Sequence, residues 1–172
     1  VAAGSMPNTE GFQQSTPASE IRGFHLPHVY SPWDILGFGK VTKFNGPAVV
    51  YDDTGTFEAI SISDILLKKG LKVTMVGRSD SIGARLPFPP VTAGAARERL
   101  YSGNFDFIGG HHLLAIEENR VEIGVMFTER TRKIDAYTVV FVGHNSPNRE
   151  LWVSLKGNGP EIHMIGDVRG HN

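Results

Sequence analysis

PAVVYDDTGTFEAISISDILLKKGLKVTMVGRS, residues 47–79, reads as an apolar strand, a tight turn, a helix and a second apolar strand. The pattern predicts strands over residues 48–52 and 71–76, with a helix from about residue 56 to residue 69 between them. Two strands that are joined by one helix lie parallel in a sheet. This stretch therefore predicts the opening of a dinucleotide-binding unit.

The turn between the first strand and the helix departs from the usual phosphate-binding sequence. Such turns carry glycines, because a pyrophosphate must come close to the backbone N–H groups and to the helix N-terminus. The fingerprint positions fall here on Thr54, Thr56 and Ala59. Threonine is β-branched and would obstruct a phosphate, while Asp52 and Asp53 would repel it. We therefore predict that the unit keeps its fold but binds no NAD(P) tightly.

The remaining sequence predicts short elements on both sides of this unit. Residues 6–32 are loop-like, and a short helix is expected over 33–36. After a proline-interrupted loop over 78–93, alternating apolar residues predict a small antiparallel meander with a turn at Glu118-Asn119. From residue 95 onward the pattern predicts helices over 95–101 and 149–155, and strands over 105–108, 112–116, 120–126, 131–135, 138–142 and 162–165.

The composition excludes several functions. The chain of 172 residues is 40% hydrophobic and 20% charged with a formal net charge of −1, which gives no footprint for nucleic acid or for a membrane surface. No apolar run approaches the roughly 20 residues of a membrane span. The absence of cysteine excludes disulfides, cysteine-ligated metal or iron–sulfur centres and a cysteine nucleophile within these residues. A cytoplasmic setting is expected, and since the chain starts at Val1 without a methionine, we expect a piece of a longer polypeptide.

Four further motifs flank the βαβ unit, and their order along the chain carries information about the family. They are VAAG at 1–4, PNTEGF at 7–12, VVFVGHN at 139–145 and ELWVSLKGNGPEIHMIGD at 150–167. Together with the quoted stretch they resemble the C-terminal region of the trimethylamine dehydrogenase/2,4-dienoyl-CoA reductase family, the Old Yellow Enzyme-related NADH:flavin oxidoreductases. The resemblance implies an α/β, Rossmann-like three-layer nucleotide-binding fold with an antiparallel meander, in the FAD/NAD(P) domain architecture of the disulfide reductases.

The resemblance also implies how the chain is divided. Residues 1–36 would be a remnant of an outer FAD- or ADP-type domain with its connector. Residues 37–143 would be an NAD(P)-type domain inserted into that outer domain, and residues 144–172 would return into it.

The cofactors and partners that the resemblance implies lie mostly outside these residues. The parent enzyme would carry FMN and a cysteine-ligated [4Fe–4S] cluster on an N-terminal barrel of the same polypeptide. It would pass electrons to an electron-transfer protein and form a homo-oligomer. Gly4, Gly166 and Asp167 match outer-domain motifs that line ADP or FAD in the family, although Asp167 could equally be a helix N-cap or a turn residue. Half a site binds weakly, so we expect no cofactor tightly bound in this segment, and neither nucleic acid nor membrane as a partner.

Three functions stay open from the sequence. The first is a largely structural nucleotide-type domain with a degenerate turn, inactive on its own. The second is a working NADPH module of an enoate-reductase-like enzyme, using Gly55 in the turn and Arg78 against the 2′-phosphate, although Arg78 is more simply a solvated loop residue. The third is a non-catalytic module that docks an electron-transfer partner through apolar surface near Trp33 or Trp152. The histidines show no metal-binding pattern, and no catalytic set of side chains has a recognisable setting.

Overall fold

The quoted stretch folds into the predicted βαβ unit. β3 (Ala48–Asp52) and β4 (Val73–Gly77) pair in parallel, and α2 (Phe57–Lys68) connects them. Every residue of both strands is buried, as in a parallel sheet that is covered on both faces. The computed structural model describes residues 1–39, 43–87, 91–157 and 161–170.

Five parallel strands form the central sheet. Across the sheet their order is β2 (Val29–Tyr30), β9 (Thr138–Val142), β3, β4 and β5 (Phe105–Ile108). Helices α1 (Pro32–Ile35) and α3 (Val91–Tyr101) lie with α2 in the helical layer. The last residue of β3, Asp52, stands in register with Gly77 of β4 and Val142 of β9. The turn after β3 therefore lies between the carboxyl ends of its two neighbouring strands.

A separate antiparallel sheet covers one face of the central sheet. It contains β6 (His111–Glu117), β7 (Arg120–Val125) and β8 (Thr131–Asp135) in that order. The predicted turn at Glu118-Asn119 joins β6 to β7. This sheet is the antiparallel meander that the sequence predicts, but the first and last strands of the alternating stretch, 105–108 and 138–142, belong to the parallel sheet instead.

Alternation along β3 defines three layers. Ala48 and Val50 lie in one apolar cluster with the helices, while Val49 and Tyr51 lie in a second cluster with the meander. Helix α2 turns one face towards the first cluster, because its buried residues recur at helical spacing: Ala59, Ile62, Ser63 and Leu66. Helices, parallel sheet and meander thus form the three-layer α/β fold that was predicted.

The two ends of the described chain lie together. β1 (Ser5–Met6) pairs antiparallel with β10 (Ser146–Pro147), and α4 (Glu150–Leu155) follows β10. The amino group of Val1 donates to the C=O of His163 at 2.6 Å, and the C=O of Val1 accepts from the N–H of Ile165 at 3.0 Å.

One predicted element is wrong. Residues 162–165 belong to no strand, because their backbone bonds with the start of the chain without forming a ladder. A short 3₁₀ helix (Gly166–Arg169) follows them.

Most other predicted boundaries hold within two residues. The clearest difference is α3, which begins at Val91 rather than at residue 95. Gly94 favours a turn in the sequence, yet Ala93, Ala96 and Leu100 are buried at helical spacing, and this packing extends the helix. The sequence did not predict β1, which begins just before the predicted loop over 6–32, or β2, which lies inside it, since two residues are too few for an alternating pattern. Residues 88–90 of the second predicted loop lie outside the described residues.

Candidate functional site

The turn that follows β3 is closed by its own aspartate. Oδ1 of Asp52 accepts hydrogen bonds from the backbone N–H of Thr54 at 3.0 Å and of Gly55 at 2.8 Å. It also accepts one from the hydroxyl of Thr54 at 3.0 Å. All three residues are buried. A phosphate bound in such a turn would need N–H groups like these as donors, and here a carboxylate oxygen already accepts them.

The loop after β4 covers this turn. Gly55 has a φ of +70°, and its C=O accepts a hydrogen bond from the N–H of Arg85 at 3.0 Å. A Cβ at Gly55 would lie 3.3 Å from Cγ and 3.4 Å from the backbone nitrogen of Arg85. The left-handed backbone and this close approach are sufficient reasons for glycine here. The hydroxyls of Thr54 and Thr56 bond to each other at 2.9 Å, and Thr56 precedes α2 without capping it through its side chain.

The side chain of Asp53 contacts residues outside the turn. Its Oδ2 accepts a hydrogen bond from the N–H of Gln14 at 2.8 Å, and its Oδ1 lies 3.4 Å from Nε of Arg78. Neither Oδ1 nor Nε has a hydrogen bond of regular geometry, so the contact with Arg78 is an ion pair. His144, which follows β9, interacts electrostatically with the same carboxylate. Asp53 is only 2% exposed.

Burial governs the acid–base properties of these groups. It raises the pKa of the Asp52 and Asp53 carboxyls above the usual range, and the hydrogen bonds and charges around them offset this effect in part. Burial also raises the pKa of the Tyr51 hydroxyl, and the nearby Asp53 adds to that increase. The surroundings of this turn penalise negative charge, and a bound phosphate would meet the same penalty.

Arg78 is not the solvated loop residue that the sequence favours. Its side chain is 29% exposed and faces the buried carboxylate of Asp53. It also lines a cavity of about 410 Å³ together with Asp80, His111 and Phe127, at the carboxyl ends of β4 and β5. Arg78 therefore stands between a buried acid and a cavity that is open to solvent.

Two residues of this site could not be found from the sequence. Gln14 lies 39 residues before Asp53, in a stretch without periodicity, and His144 follows another strand. The parallel order β4-β3-β9 brings Arg78 and His144 to opposite sides of Asp53. The strand order was the one signal that could have placed Arg78 and His144 beside Asp53, and no signal in the sequence points to Gln14.

The predicted outer-domain residues are grouped around β1 and β10. The C=O of Gly4 accepts a hydrogen bond from the N–H of Asn148 at 3.0 Å, and Gly166 begins the 3₁₀ helix that packs beside β10. Both glycines have a φ of +70°, and no heavy atom lies within 4 Å of a Cβ added to either. Asp167 is exposed in the first turn of that helix, and Ile165 is the N-cap. The structure thus brings Gly4, Gly166 and Asp167 into one group, and Gly55 and Arg78 into another.

The described parts of the chain contain neither a group of metal ligands nor a helix that could cross a membrane. Over residues 1–39, 43–87, 91–157 and 161–170, no three His, Asp or Glu side chains are grouped so that they could hold a metal ion. Within the same ranges, no helix has the length and apolar character that crossing a membrane requires.

Solved structures with the same fold place the chain in context. All of the chain is similar to 26% of 6-hydroxypseudooxynicotine amine oxidase (HisD) from Pseudomonas geniculata N1, at 25% identity and a TM-score of 0.84. A stretch of 99% of the chain is similar to 27% of histamine dehydrogenase from Rhizobium sp. 4-9, at 21% identity and a TM-score of 0.84. The same share is similar to 24% of a 2-naphthoyl-CoA reductase, at 22% identity and a TM-score of 0.78. No protein-family model and no curated protein sequence matches the chain.

These similarities confirm the expected resemblance at the level of the fold. The neighbours are an amine oxidase, an amine dehydrogenase and a CoA-thioester reductase, as expected for a chain that resembles the trimethylamine dehydrogenase/2,4-dienoyl-CoA reductase family. Two disulfide reductases share the fold, which confirms the predicted fold class. The chain spans about a quarter of the length of the first three neighbours. Its fold is therefore one that oxidoreductases use.

Proposed function

We propose that this chain is the C-terminal nucleotide-type region of a larger FMN- and iron–sulfur-dependent oxidoreductase similar to trimethylamine dehydrogenase, and that its role there is largely structural. The hydrogen bonding of Asp52 within the turn carries the proposal. A dinucleotide needs the N–H groups of this turn for its pyrophosphate, and the carboxylate of Asp52 accepts them instead. The unit retains the strand, turn and helix, but the N–H groups of its turn donate to the side chain of Asp52.

Opening this turn for a phosphate would be costly. Each buried donor that loses Asp52 without a replacement costs about 1–3 kcal/mol. If the carboxylate stayed near the phosphate, the two like charges at ~4 Å would repel each other by about 1–4 kcal/mol. The hydrogen bond from Arg85 to Gly55 would also have to break. A nicotinamide nucleotide would have to recover these costs before any net binding resulted.

A working NADPH module is the second candidate, and the cavity beside Arg78 favours it. The cavity lies at the carboxyl ends of parallel strands, where nucleotides bind in sheets of this type. Arg78 could face a 2′-phosphate with its terminal nitrogens while Nε remains near Asp53. We rank this function second because the neighbouring pyrophosphate turn is closed and Arg78 already balances a buried carboxylate.

Exposed apolar side chains favour a third candidate, docking of a partner. Beside Trp33, Leu36 is 47% exposed and Phe38 is 77% exposed. Helix α4, which carries Trp152, buries none of its residues. Surfaces of this kind mark contacts with other proteins or domains. In our proposal they face the N-terminal barrel of the parent polypeptide or an electron-transfer protein.

The chemistry of the parent enzyme is inferred from the resemblance. It would oxidise a small amine, or reduce an enone or enoyl thioester, on FMN held by the barrel. This chain has no cysteine, so a [4Fe–4S] cluster would also belong to the barrel. Gly4, Gly166 and Asp167 would contribute half of an outer ADP or FAD site. Division into residues 1–36, 37–143 and 144–172, a homo-oligomeric parent and a cytoplasmic location belong to the same proposal.

An activity assay on the 172-residue chain tests the proposal. Added FMN or FAD and a dye acceptor supply the remaining components, and NADPH or NADH serves as the electron donor. We expect no dye reduction above the rate without protein. Reduction that requires NADPH and disappears in the Arg78→Ala variant would overturn the proposal and support the second candidate.

A further inference from the structure

Asp53 connects parts of the molecule that are far apart in the sequence. We propose that Asp53, Arg78 and the backbone N–H of Gln14 form a charged clasp, which holds the N-terminal loop around Gln14 against the βαβ unit. This inference goes beyond the proposed function, since it concerns how the segments are held and does not depend on whether a nucleotide binds.

The backbone fixes Asp53 where three segments meet. Its N–H donates to the C=O of Val142, the last residue of β9, at 3.0 Å. Its Oδ2 accepts from the N–H of Gln14 in the N-terminal loop, and its Oδ1 faces Arg78 at the end of β4. His144 comes from the segment that leaves β9. The carboxylate thus links the N-terminal loop to the end of β4, and the backbone N–H of the same residue bonds to the end of β9.

The N-terminal loop has a second attachment that carries no charge. The side chain of Gln13 is 3% exposed and donates from Nε2 to the C=O of Leu113 at 2.5 Å. Its Oε1 accepts from the N–H of Leu113 at 3.2 Å. The loop is therefore held at two adjacent residues. The side-chain amide of Gln13 bonds to the backbone of Leu113 in the meander, and the backbone N–H of Gln14 bonds to the buried carboxylate of Asp53.

The environment of Asp53 makes its charge important. The groups that face it are Gln14, Tyr51, Arg78 and His144, with Asp52 as the nearest like charge and Ser15 beside Tyr51. A buried ion pair of this kind gains little net stability, but removing one partner leaves the other charge uncompensated. The pair is therefore better suited to fixing the relative position of segments than to adding stability.

Replacement of Asp53 by Asn separates charge from shape. An amide has one acceptor oxygen, so it can face either the N–H of Gln14 or Arg78, and its NH₂ group then faces the other donor. One donor is left without an acceptor in both orientations. Asp52→Asn is the matched control, because Asp52 is an adjacent buried acid whose recorded hydrogen bonds remain within its own turn.

Hydrogen exchange of the full chain tests the clasp, with the exchange rate of the Gln14 amide as the readout. We expect Asp53→Asn to accelerate it by about tenfold in either orientation of the amide, because a neutral amide oxygen accepts a weaker hydrogen bond than a carboxylate does, while amides of β3 and β4 keep their protection. Asp52→Asn should leave the Gln14 amide unchanged. Gln13→Ala should expose the Leu113 amide, which shows that loosening of the loop can be detected.

Three outcomes would overturn the clasp. The first is wild-type protection of the Gln14 amide in Asp53→Asn. The second is equal loosening in Asp52→Asn, which would indicate general weakening of the turn. The third concerns Arg78→Met, which serves if Asp53→Asn fails to fold: this variant should also accelerate exchange at Gln14, and unchanged exchange would contradict the role of the charge pair.

Discussion

The sequence predicts parts of nucleotide sites in two regions of this molecule, and the two regions differ in how closely they are packed. At the turn after β3, Asp52 is buried with its turn donors satisfied, and Arg85 packs against Gly55. Around β1 and β10, Asp167 is exposed and the space beside Gly166 is empty out to 4 Å. The first region is closed by contacts within the chain. The second is open, and in our proposal it would contribute half of an outer nucleotide site.

In our proposal, the difference explains how a nucleotide-type fold can persist without binding a nucleotide. The parallel sheet and α2 are maintained by apolar burial, which does not require the phosphate site to remain functional. Once a side chain accepts the hydrogen bonds of the turn, the N–H groups are satisfied without a nucleotide. Substitutions at paired positions in the two regions can test this comparison.

The largest effect is expected at the two aspartates. Asp52→Ala leaves buried N–H groups of Thr54 and Gly55 without their acceptor, and should lower the free energy of unfolding by about 3 kcal/mol. Asp167→Ala alters an exposed side chain and should change it by less than about 0.5 kcal/mol. Urea denaturation followed by circular dichroism measures both.

Asp52→Asn refines this result. All recorded hydrogen bonds of Asp52 go to Oδ1, which asparagine retains, while the buried charge is removed. The variant should stay within about 1 kcal/mol of the wild type. Similar losses in Asp52→Ala and Asp52→Asn would mean that charge, rather than hydrogen bonding, closes the turn.

The second comparison uses the glycines. Gly55→Ala combines a left-handed backbone with a close contact to Arg85, and should cost about 2 kcal/mol. Gly166→Ala has the same φ but free space, and should cost about 1 kcal/mol. Thermal unfolding of the two variants measures the difference. A smaller loss at Gly55 than at Gly166 would contradict the close packing of the turn.

A pH series gives the smallest expected effect. Burial raises the pKa of Asp52 and Asp53 in the folded state above their values in the unfolded chain. The folded state therefore binds more protons, and stability should fall as pH rises from about 4 through these raised values. The decrease of the free energy of unfolding with rising pH should be shallower in Asp52→Asn, because one of the two titrating groups has been removed. Urea titrations across this range measure it, and the same slope in the variant would show that Asp52 ionises as it does in the unfolded chain.

Glu117 makes stability depend on pH in the opposite direction, so its contribution must be separated from that of Asp52 and Asp53. Hydrogen bonds from Lys133 and Arg120 lower its pKa to about 2. Its contribution is therefore complete above about pH 5 and is lost as pH falls towards the lowered pKa. Because these side chains lie at the surface, salt screens them. Measurements in high salt reduce the contribution of Glu117 while the buried aspartates retain theirs.

The sequence was most informative where local patterns suffice. Alternation and helical spacing predicted the βαβ unit and the meander, since apolar residues in these elements face a core. Two-residue strands such as β1 and β10 have no such pattern, and the tail at 162–165 was mistaken for a strand because it is apolar. Its backbone partner is Val1, at the far end of the chain.

The site was only half accessible from the sequence. The missing glycines and the two acids indicated that a phosphate would be repelled, but not that Asp52 would occupy the turn donors itself. Asp53 looked equivalent to Asp52, yet it bonds to Gln14 and pairs with Arg78. These contacts depend on tertiary structure. The sequence gives no indication that Asp52 bonds within the turn while Asp53 bonds to other segments.

Calorimetric titration of NADPH into the 172-residue chain tests the central claim most directly, with NADH and the Arg78→Ala variant as parallel titrations. A closed turn predicts no saturable heat for either nucleotide up to millimolar concentration, with the same result in the variant. Micromolar NADPH binding by the wild type, lost in Arg78→Ala, would contradict the account and identify a working nucleotide site.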